Sequence, residues 1–337
     1  MPPGVEAGRG HRARRTRAGG PGQAASDRRP RLPDNQRVSR RAVALFAVMA
    51  VVWGIPYLLI RVAVAEVSPP VLVFVRTSIG AAVLLPIAVV RVGLRPTLRR
   101  WQWVVAFALA EVAGPWVLLG WAEQQVTSSL AGLLVAGVPL VGTVIGVLAG
   151  GRDRHVGTTG LVGLLLGLIG VAAIAGTDLN ASSVAPVAAI GLVVLGYATG
   201  PWILAHKLVG VPALGVMGPS LALSALLYLP FAIAQWPATQ PSGQAIASIV
   251  VLGLVCTALA FMLFAELIAA VGPVRATVIT YINPAVAAIL GVAVLAEPFT
   301  PMMAGGFALV IAGSVLATRG PGPGRSAKAL SSETAPA

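Results

Sequence analysis

The sequence predicts an all-α membrane protein with about ten transmembrane helices, arranged as two inverted five-helix repeats. Of its 337 residues, 57% are hydrophobic and only 10% are charged, whereas about a quarter of the residues of an ordinary soluble domain are charged. Several apolar stretches have about the 20 residues that a helix needs to cross a bilayer. One stretch occurs twice, as AGLLVAGVP at 131–139 and as ATVITYINP at 276–284.

The duplicated stretch divides the chain into two halves. Each copy follows a segment that ends in Ala-Glu, and each copy leads to a glycine-spaced helix. Repeated units of this kind need each other to bury their inner faces, and in transporters the substrate site lies between the two halves. The residues that mark the repeat are Glu123, Gly163 and Gly170 in the first half and Glu266, Gly306 and Gly313 in the second.

The predicted spans follow the apolar stretches and their interruptions. The run that begins at residue 42 is long enough to span, and Arg61 separates it from a possible cleavage site, so we interpret it as a transmembrane helix and not as a signal peptide. The uncharged stretch 208–265 is interrupted by a turn-rich segment at 236–243, so it contains two spans. The predicted spans are 42–62, 70–90, 101–121, 126–150, 156–176, 185–205, 212–234, 245–266, 274–296 and 299–318.

The domain organisation and orientation follow from the charges. The net charge is +13, but eleven of the arginines lie in residues 1–41, which we predict to be a disordered cytoplasmic tail and not a nucleic-acid-binding region. The first repeat is 42–177, the second is 185–318, and 319–337 is a second disordered cytoplasmic tail. With both termini cytoplasmic, 22 of the 24 basic residues face the cytoplasm, as the positive-inside rule expects for a plasma (inner) membrane protein.

The ordered motifs resemble those of EamA-like members of the drug/metabolite transporter superfamily. The first helix contains Trp53-Gly54, and the second begins with Ser68-Pro69 and contains Arg76. The closing stretch is the most similar, with GPVRA at 272–276, YINP at 281–284, AEP at 296–298, and then Gly306 and Gly313. The resemblance covers about residues 42–318.

This resemblance implies ten helices, export of a small metabolite, and a passage lined by the first, third, fourth, sixth, eighth and ninth helices. The sequence departs from the family pattern at two places. Asn283 stands where a glutamate often precedes the ninth-helix proline, and Gly151-Arg152-Asp153 stands where Gly-Glu is common. Coupling by a carboxylate of the ninth helix is therefore not expected.

Glu111 is the first candidate for a functional group. It lies in the middle of the third span, and an ionisable residue at that depth normally faces a cavity or a partner. An apolar environment favours the protonated carboxyl, which would let Glu111 exchange a proton or accept a cationic group of a substrate. The alternative is a structural role as the partner of Arg76 in the second span.

Aromatic and helix-breaking residues are further candidates. Tryptophan and tyrosine side chains at mid-span can line a substrate cavity, and proline within a span frees backbone carbonyl groups that can face such a cavity. Packing and interfacial anchoring are the alternative roles. The aromatic candidates are Trp53, Tyr57, Trp116, Tyr197, Trp202 and Tyr281, and the helix-break candidates are Pro139 and Pro284, with Asn283 beside the second proline.

Several residues are predicted to have ordinary roles. Trp101, Trp103 and Trp121 lie at span ends, where tryptophan anchors helices in the interface. Gly142, Gly146, Gly150, Gly163 and Gly167 are spaced for close helix contact. Cys256 is a packing residue, and the glutamates at span ends, Glu123, Glu266 and Glu297, are expected to be solvated.

The functional prediction is a secondary-active or facilitative transporter that works by alternating access. Its partners are a small-molecule substrate, the lipid bilayer and, in the proton-coupled case, protons; no nucleic acid, metal or cofactor is expected. The three histidines form no HExxH motif and the chain has no Walker loop, so we expect no catalytic site. The alternatives are an intramembrane hydrolase and a non-transporting membrane receptor or structural protein. The sequence leaves open the substrate and the oligomeric state.

Overall fold

The computed structural model describes residues 40–149, 158–176, 184–271 and 277–318. Within these residues nine helices are long and apolar enough to cross a membrane, and a tenth apolar helix is shorter. The predicted all-α fold with about ten transmembrane helices is therefore confirmed. In chain order the helices are α1 (Arg40–Gly54 and Pro56–Ala63), α2 (Pro69–Arg91), α3 (Trp101–Phe107, Ala108–Ala113 and Gly114–Glu123), α4 (Ser128–Val135 and Val138–Leu148), α5 (Thr158–Gly176), α6 (Val184–His206), α7 (Ala213–Ala234), α8 (Gly243–Gly253, Leu254–Leu259 and Ala260–Val271), α9 (Thr277–Tyr281 and Asn283–Leu295) and α10 (Pro301–Thr318).

The first helix is described from Arg40 onward, two residues before the span predicted at 42–62. The Arg41 guanidinium forms an ion pair with Glu266 of α8 at 2.7 Å, on the surface. Three predicted features lie outside the described residues. They are the rest of the two predicted tails, the Gly151-Arg152-Asp153 segment and the motif at 272–276.

The two repeats interlock, since each helix packs against helices of the other repeat. The second helices, α2 and α7, pack along each other, as do the fifth helices, α5 and α10. Helices α3 and α6, α1 and α8, and α4 and α9 also form pairs across the repeats. Each repeat contains an odd number of spans, so the second repeat enters the membrane from the opposite side.

Glycine permits the closest of these contacts, between α5 and α10. A Cβ atom at Gly163 would lie 2.5 Å from the backbone nitrogen of Ala317, and one at Gly170 would lie 2.6 Å from the carbonyl oxygen of Gly306. A Cβ atom at Gly167 would overlap the side chain of Leu140 in α4. The predicted close contacts are thus found for Gly163 and Gly167, whereas a Cβ atom at Gly142 would meet nothing within 4 Å.

Several helices are interrupted, and the third and fourth helices of both repeats are interrupted at related places. Both third helices contain a π-helical turn, at Ala108–Ala113 in α3 and at Leu254–Leu259 in α8. Both fourth helices resume at a proline, Pro139 in α4 and Pro284 in α9. Matched interruptions in the two halves of a transporter fold mark the region of its binding site.

Candidate functional site

Arg76 of α2 lies where the two repeats meet. It is only 7% exposed, and its Nε donates a hydrogen bond to Oγ1 of Thr257 in α8 at 3.1 Å. Its Cζ lies 3.6 Å from the ring centroid of Trp116 in α3. Within the described residues neither Nη1 nor Nη2 makes a hydrogen bond. The guanidinium is therefore held by one neutral hydroxyl and one aromatic face.

Two tyrosines complete this group of side chains. Tyr57 of α1 is 7% exposed and packs beside α4, where a Cβ atom at Gly132 would lie 3.6 Å from its ring. Tyr197 of α6 packs against the hydrophobic cluster that contains Trp116. Tyr197 also packs against the hydrophobic cluster that contains Tyr57. The set Arg76, Trp116, Thr257, Tyr57 and Tyr197, which we call the central cluster, joins five helices from both repeats.

Thr257 was not predicted from the sequence, because threonine in an apolar span is common. Its position follows from the π-helical turn of α8, where its Oγ1 donates to the carbonyl oxygen of Leu252 at 2.8 Å. The same oxygen accepts the hydrogen bond from Arg76. Thr257 is fully buried. Gly80, one turn after Arg76 on α2, leaves room for it, since a Cβ atom there would lie 2.9 Å from Cγ2 of Thr257.

Glu111 lies in the π-helical turn of α3, beside the central cluster. A Cβ atom at Gly200 of α6 would lie 2.9 Å from Cβ of Glu111. The Oε2 atom of Glu111 is buried without a hydrogen-bond partner. Tyr197 lies about one turn before Gly200 on the same helix. Glu111 thus faces α6 close to the position of one member of the cluster.

The proposed pairing of Glu111 with Arg76 is not found. The described residues contain no ion pair between the two side chains. Arg76 is instead engaged by Thr257 and Trp116. The alternative role for Glu111, as the partner that neutralises Arg76, therefore has no direct contact to support it in the described residues.

Two other predicted aromatic residues, Trp53 and Trp202, make no direct contact with Arg76 in the described residues. Trp53 packs in an aromatic group with Phe261 and Phe264, at centroid separations of 5.9 and 4.7 Å. Trp202 stacks on His206, with ring centroids 5.0 Å apart, near the end of α6. The Trp53 contacts are packing between α1 and α8, whereas Trp202 and His206 lie one turn apart on the same helix.

Asn283 and Tyr281 lie at the interruption of α9 and are not members of the central cluster. With its nitrogen as the donor, the Asn283 amide binds the carbonyl oxygens of Ala50 at 3.2 Å and Ile279 at 3.0 Å. Asn283 thereby ties the interrupted start of α9 to α1. Tyr281 is half-buried in the 3₁₀ turn just before it.

A second buried polar group, which we call the glutamate clamp, consists of Glu297, Ser128 and Ser129. The Glu297 carboxylate accepts hydrogen bonds from the backbone nitrogens of Ser128 and Ser129, both at 2.8 Å. Their hydroxyls donate to it at 2.9 and 2.6 Å. A carboxylate at the N-terminus of α4 satisfies the free N–H groups there and interacts favourably with the helix dipole. The clamp joins the second repeat to the first.

The clamp corrects the prediction that the glutamates at span ends are solvated. Glu297 is 9% exposed and Glu123 is completely buried, whereas Glu266 is exposed as expected. Glu297 reaches α4 because the chain turns at Ala296, which has a left-handed φ of 52°. Thr127 caps α4 by accepting a hydrogen bond from the backbone nitrogen of Leu130. The two serines that follow this cap were the signal in the sequence for a buried acceptor here.

Further contacts connect helices at the same end of the molecule. In the loop between α1 and α2, the Glu66 carboxylate accepts hydrogen bonds from the backbone nitrogen and the hydroxyl of Ser242, both at 2.6 Å. These bonds lower the pKa of Glu66 from its ordinary value. Arg61 donates to the carbonyl oxygen of Glu123. Both the Glu66 contact and the glutamate clamp therefore link the repeats at this end.

The fold and the central cluster together define a class of protein. In the described residues, nine membrane-length helices and one shorter apolar helix form two interlocking repeats, and polar side chains from both halves meet at Arg76. This is the architecture of a multi-pass membrane transporter built from inverted repeats.

Comparison with known proteins identifies the family. The model of the EamA-like transporter family matches residues 40–176 and again residues 185–319. The chain therefore belongs to the EamA-like transporter family, and it is a membrane transporter of the drug/metabolite type. Family membership implies a small-molecule substrate.

Solved structures share the fold. One of them, described only as a crystal structure of a protein, has a TM-score of 0.60 and 21% sequence identity, and the match covers 82% of this chain and 96% of that one. At this identity the likeness concerns the fold alone. No similar sequence was found among curated proteins.

Proposed function

We propose that this protein exports a small metabolite or a drug-like compound across the plasma membrane by alternating access between its two repeats. The observation that carries the proposal is the central cluster. Its five side chains come from α1, α2 and α3 of the first repeat and from α6 and α8 of the second. A relative movement of the repeats would therefore change the environment of every member of the cluster.

The contacts at the two ends of the molecule support such a movement. At one end the repeats are joined by the buried glutamate clamp and by the Glu66–Ser242 contact. At the other end they are joined by the exposed Arg41–Glu266 ion pair, which contributes little stability. They are also joined there by hydrogen bonds from Thr97 Oγ1 to the carbonyl oxygen of Gly215 and from the Arg100 guanidinium to the carbonyl oxygen of Lys207. Each end is therefore held by polar contacts that a movement of the repeats would break and form again. With both termini in the cytoplasm, the clamp faces the exterior.

Glu111 is the proposed coupling group. Glu111 is half-buried against Gly200 of α6, and its Oε2 atom has no hydrogen-bond partner among the described residues. An unpaired carboxylate within a membrane protein is unfavourable unless it is protonated or meets a cation. A carboxyl at this position can carry a proton as the repeats move. Pro139 and Pro284, at the resumption of α4 and α9, give those helices points at which they can bend.

The proposal can be tested by counterflow in proteoliposomes that contain the purified full chain. The solutes would be an amino acid, an apolar monocarboxylate, an organic cation and an uncharged drug-like compound, each in radiolabelled form. We expect saturable uptake of at least one of them, compared with liposomes without protein. Absence of saturable uptake for every solute would contradict the transport function proposed here.

Two tryptophans of α3 provide matched variants for this assay. Trp116 is 6% exposed and lies under Arg76, whereas Trp121 is 38% exposed at the helix end. We expect Trp116→Ala to reduce uptake at least tenfold and Trp121→Ala to leave it within twofold of the wild type. Equal effects of the two substitutions would show that the central cluster has no special role.

A further inference from the structure

We infer that the Arg76 guanidinium receives a carboxylate of the transported compound, which makes small apolar monocarboxylic acids the substrate class. The inference rests on the proposed transport function, because it assigns a ligand to the centre of the same site. The observation behind it is a buried cation that has hydrogen-bond donors to spare and no counter-ion in contact.

The charge of Arg76 is not neutralised within the cluster. A buried charge is unfavourable unless it is paired and its hydrogen-bonding groups are satisfied. Glu111 faces Gly200. Among the described residues, neither oxygen of the buried Glu123 carboxyl has a hydrogen-bond partner, and Glu123 forms no ion pair with Arg76. The direct contacts of the guanidinium are the Thr257 hydroxyl and the Trp116 ring, and neither carries a negative charge.

The guanidinium is also held in a fixed orientation. The Trp116 ring covers one face of it, and the Nε edge is bound to Thr257, whose own hydroxyl is fixed by the carbonyl oxygen of Leu252. The terminal nitrogens, Nη1 and Nη2, make no hydrogen bond within the described part of the chain. Two parallel N–H donors from these atoms match the two oxygens of a carboxylate.

Charge and surroundings favour a monocarboxylate over a phosphate. Arg76 is the basic member of the central cluster, and one positive charge balances one carboxylate, whereas a phosphate dianion would keep an uncompensated charge in the interior. The buried neighbours in the cluster that contains Trp116 are apolar, among them Val73, Leu221 and Ala258. Such walls accommodate the hydrocarbon part of a ligand. An apolar acid therefore fits the site better than a sugar phosphate.

The inference can be tested by equilibrium binding to the detergent-solubilised full chain. The probe is radiolabelled phenylacetate, and unlabelled phenylacetamide, hexanoate and hexanamide are competitors. We expect saturable phenylacetate binding, competition by hexanoate, and at least tenfold weaker competition by the two amides. Competition by the amides as strong as that by the acid would overturn the inference.

Variants at the site distinguish the effect of the Arg76 charge from the effect of the orientation of its guanidinium. Arg76→Gln should weaken phenylacetate binding at least tenfold, and Arg76→Lys, which keeps the charge but not the paired donors, should have an intermediate effect. Thr257→Val keeps Arg76 and removes the hydroxyl that orients it, so this variant should weaken phenylacetate binding severalfold. It is the second variant to measure if Arg76→Gln does not fold. Unchanged affinity in folded Arg76→Gln, or in Thr257→Val where the former cannot be purified, would overturn the inference.

The outcome distinguishes this inference from the proposed function. If the wild type binds no acid but transports an uncharged or cationic solute in the counterflow assay, the carboxylate assignment is wrong and the transport function stands. If no solute is transported, the function itself is contradicted.

Discussion

Replacing Glu297 with alanine is expected to lower the free energy of unfolding by about 2–6 kcal/mol, because two buried backbone donors lose their acceptor and each such loss costs about 1–3 kcal/mol. The donors are the backbone nitrogens of Ser128 and Ser129, both 2.8 Å from the carboxylate. Gly291 packs directly against this carboxylate and Ser129. Chemical denaturation in detergent micelles would measure the change.

Glu266→Ala is the matched control for this substitution. Glu266 also lies near a helix end, but its side chain is 55% exposed and its ion pair with Arg41 is on the surface. Exposed pairs contribute about 0.2–1 kcal/mol, so the control should change stability little. If Glu297→Ala is as stable as Glu266→Ala, the glutamate clamp does not hold the repeats together.

Replacing Glu111 with glutamine is expected to abolish proton-coupled transport while the protein remains folded. Glutamine keeps the shape of the side chain against Gly200 and cannot ionise. Uptake by proteoliposomes, measured from pH 5 to pH 8, should fall at least about tenfold, as for the loss of a general acid or base, or should lose its pH dependence. Glu266→Gln, at a side chain that is 55% exposed on the surface, is the control and should transport normally.

A double substitution tests the structural alternative for Glu111. If Glu111 merely balanced the charge of Arg76, adding Arg76→Gln to Glu111→Gln would restore stability and transport. The structure contains no ion pair between these residues, so we expect no restoration. Full activity and unchanged pH dependence in Glu111→Gln would refute the functional role.

The helices could be predicted from the sequence because hydrocarbon selects uninterrupted apolar stretches. The span predicted at 70–90 is found at Pro69–Arg91, and the one predicted at 156–176 is found at Thr158–Gly176. The duplication at 131–139 and 276–284 predicted the second repeat, which the family match confirms. Each of these signals lies within a single stretch or in the repetition of a stretch, so one sequence is enough to find it.

The arrangement of the site could not be predicted in the same way. Arg76, Trp116, Tyr57 and Tyr197 were candidates, but so were Trp53 and Trp202, and composition does not indicate which faces of the helices converge. Thr257 comes into contact with Arg76 only through the pairing of helices from both repeats.

Glu297 was misjudged for a general reason. Acidic residues at helix ends are usually solvated, and the left-handed turn at Ala296 that directs this one inward is a feature of the folded chain.

Alternating access at the central cluster can be measured most directly by thiol labelling of Tyr197→Cys in a Cys256→Ala background, with a membrane-impermeant reagent applied to either side of sealed vesicles. Alternating access predicts labelling of the cysteine from both sides of the membrane. It also predicts faster labelling from the exterior when Glu297→Ala releases the glutamate clamp. Labelling from a single side that is insensitive to Glu297→Ala, or no labelling from either side, would contradict it.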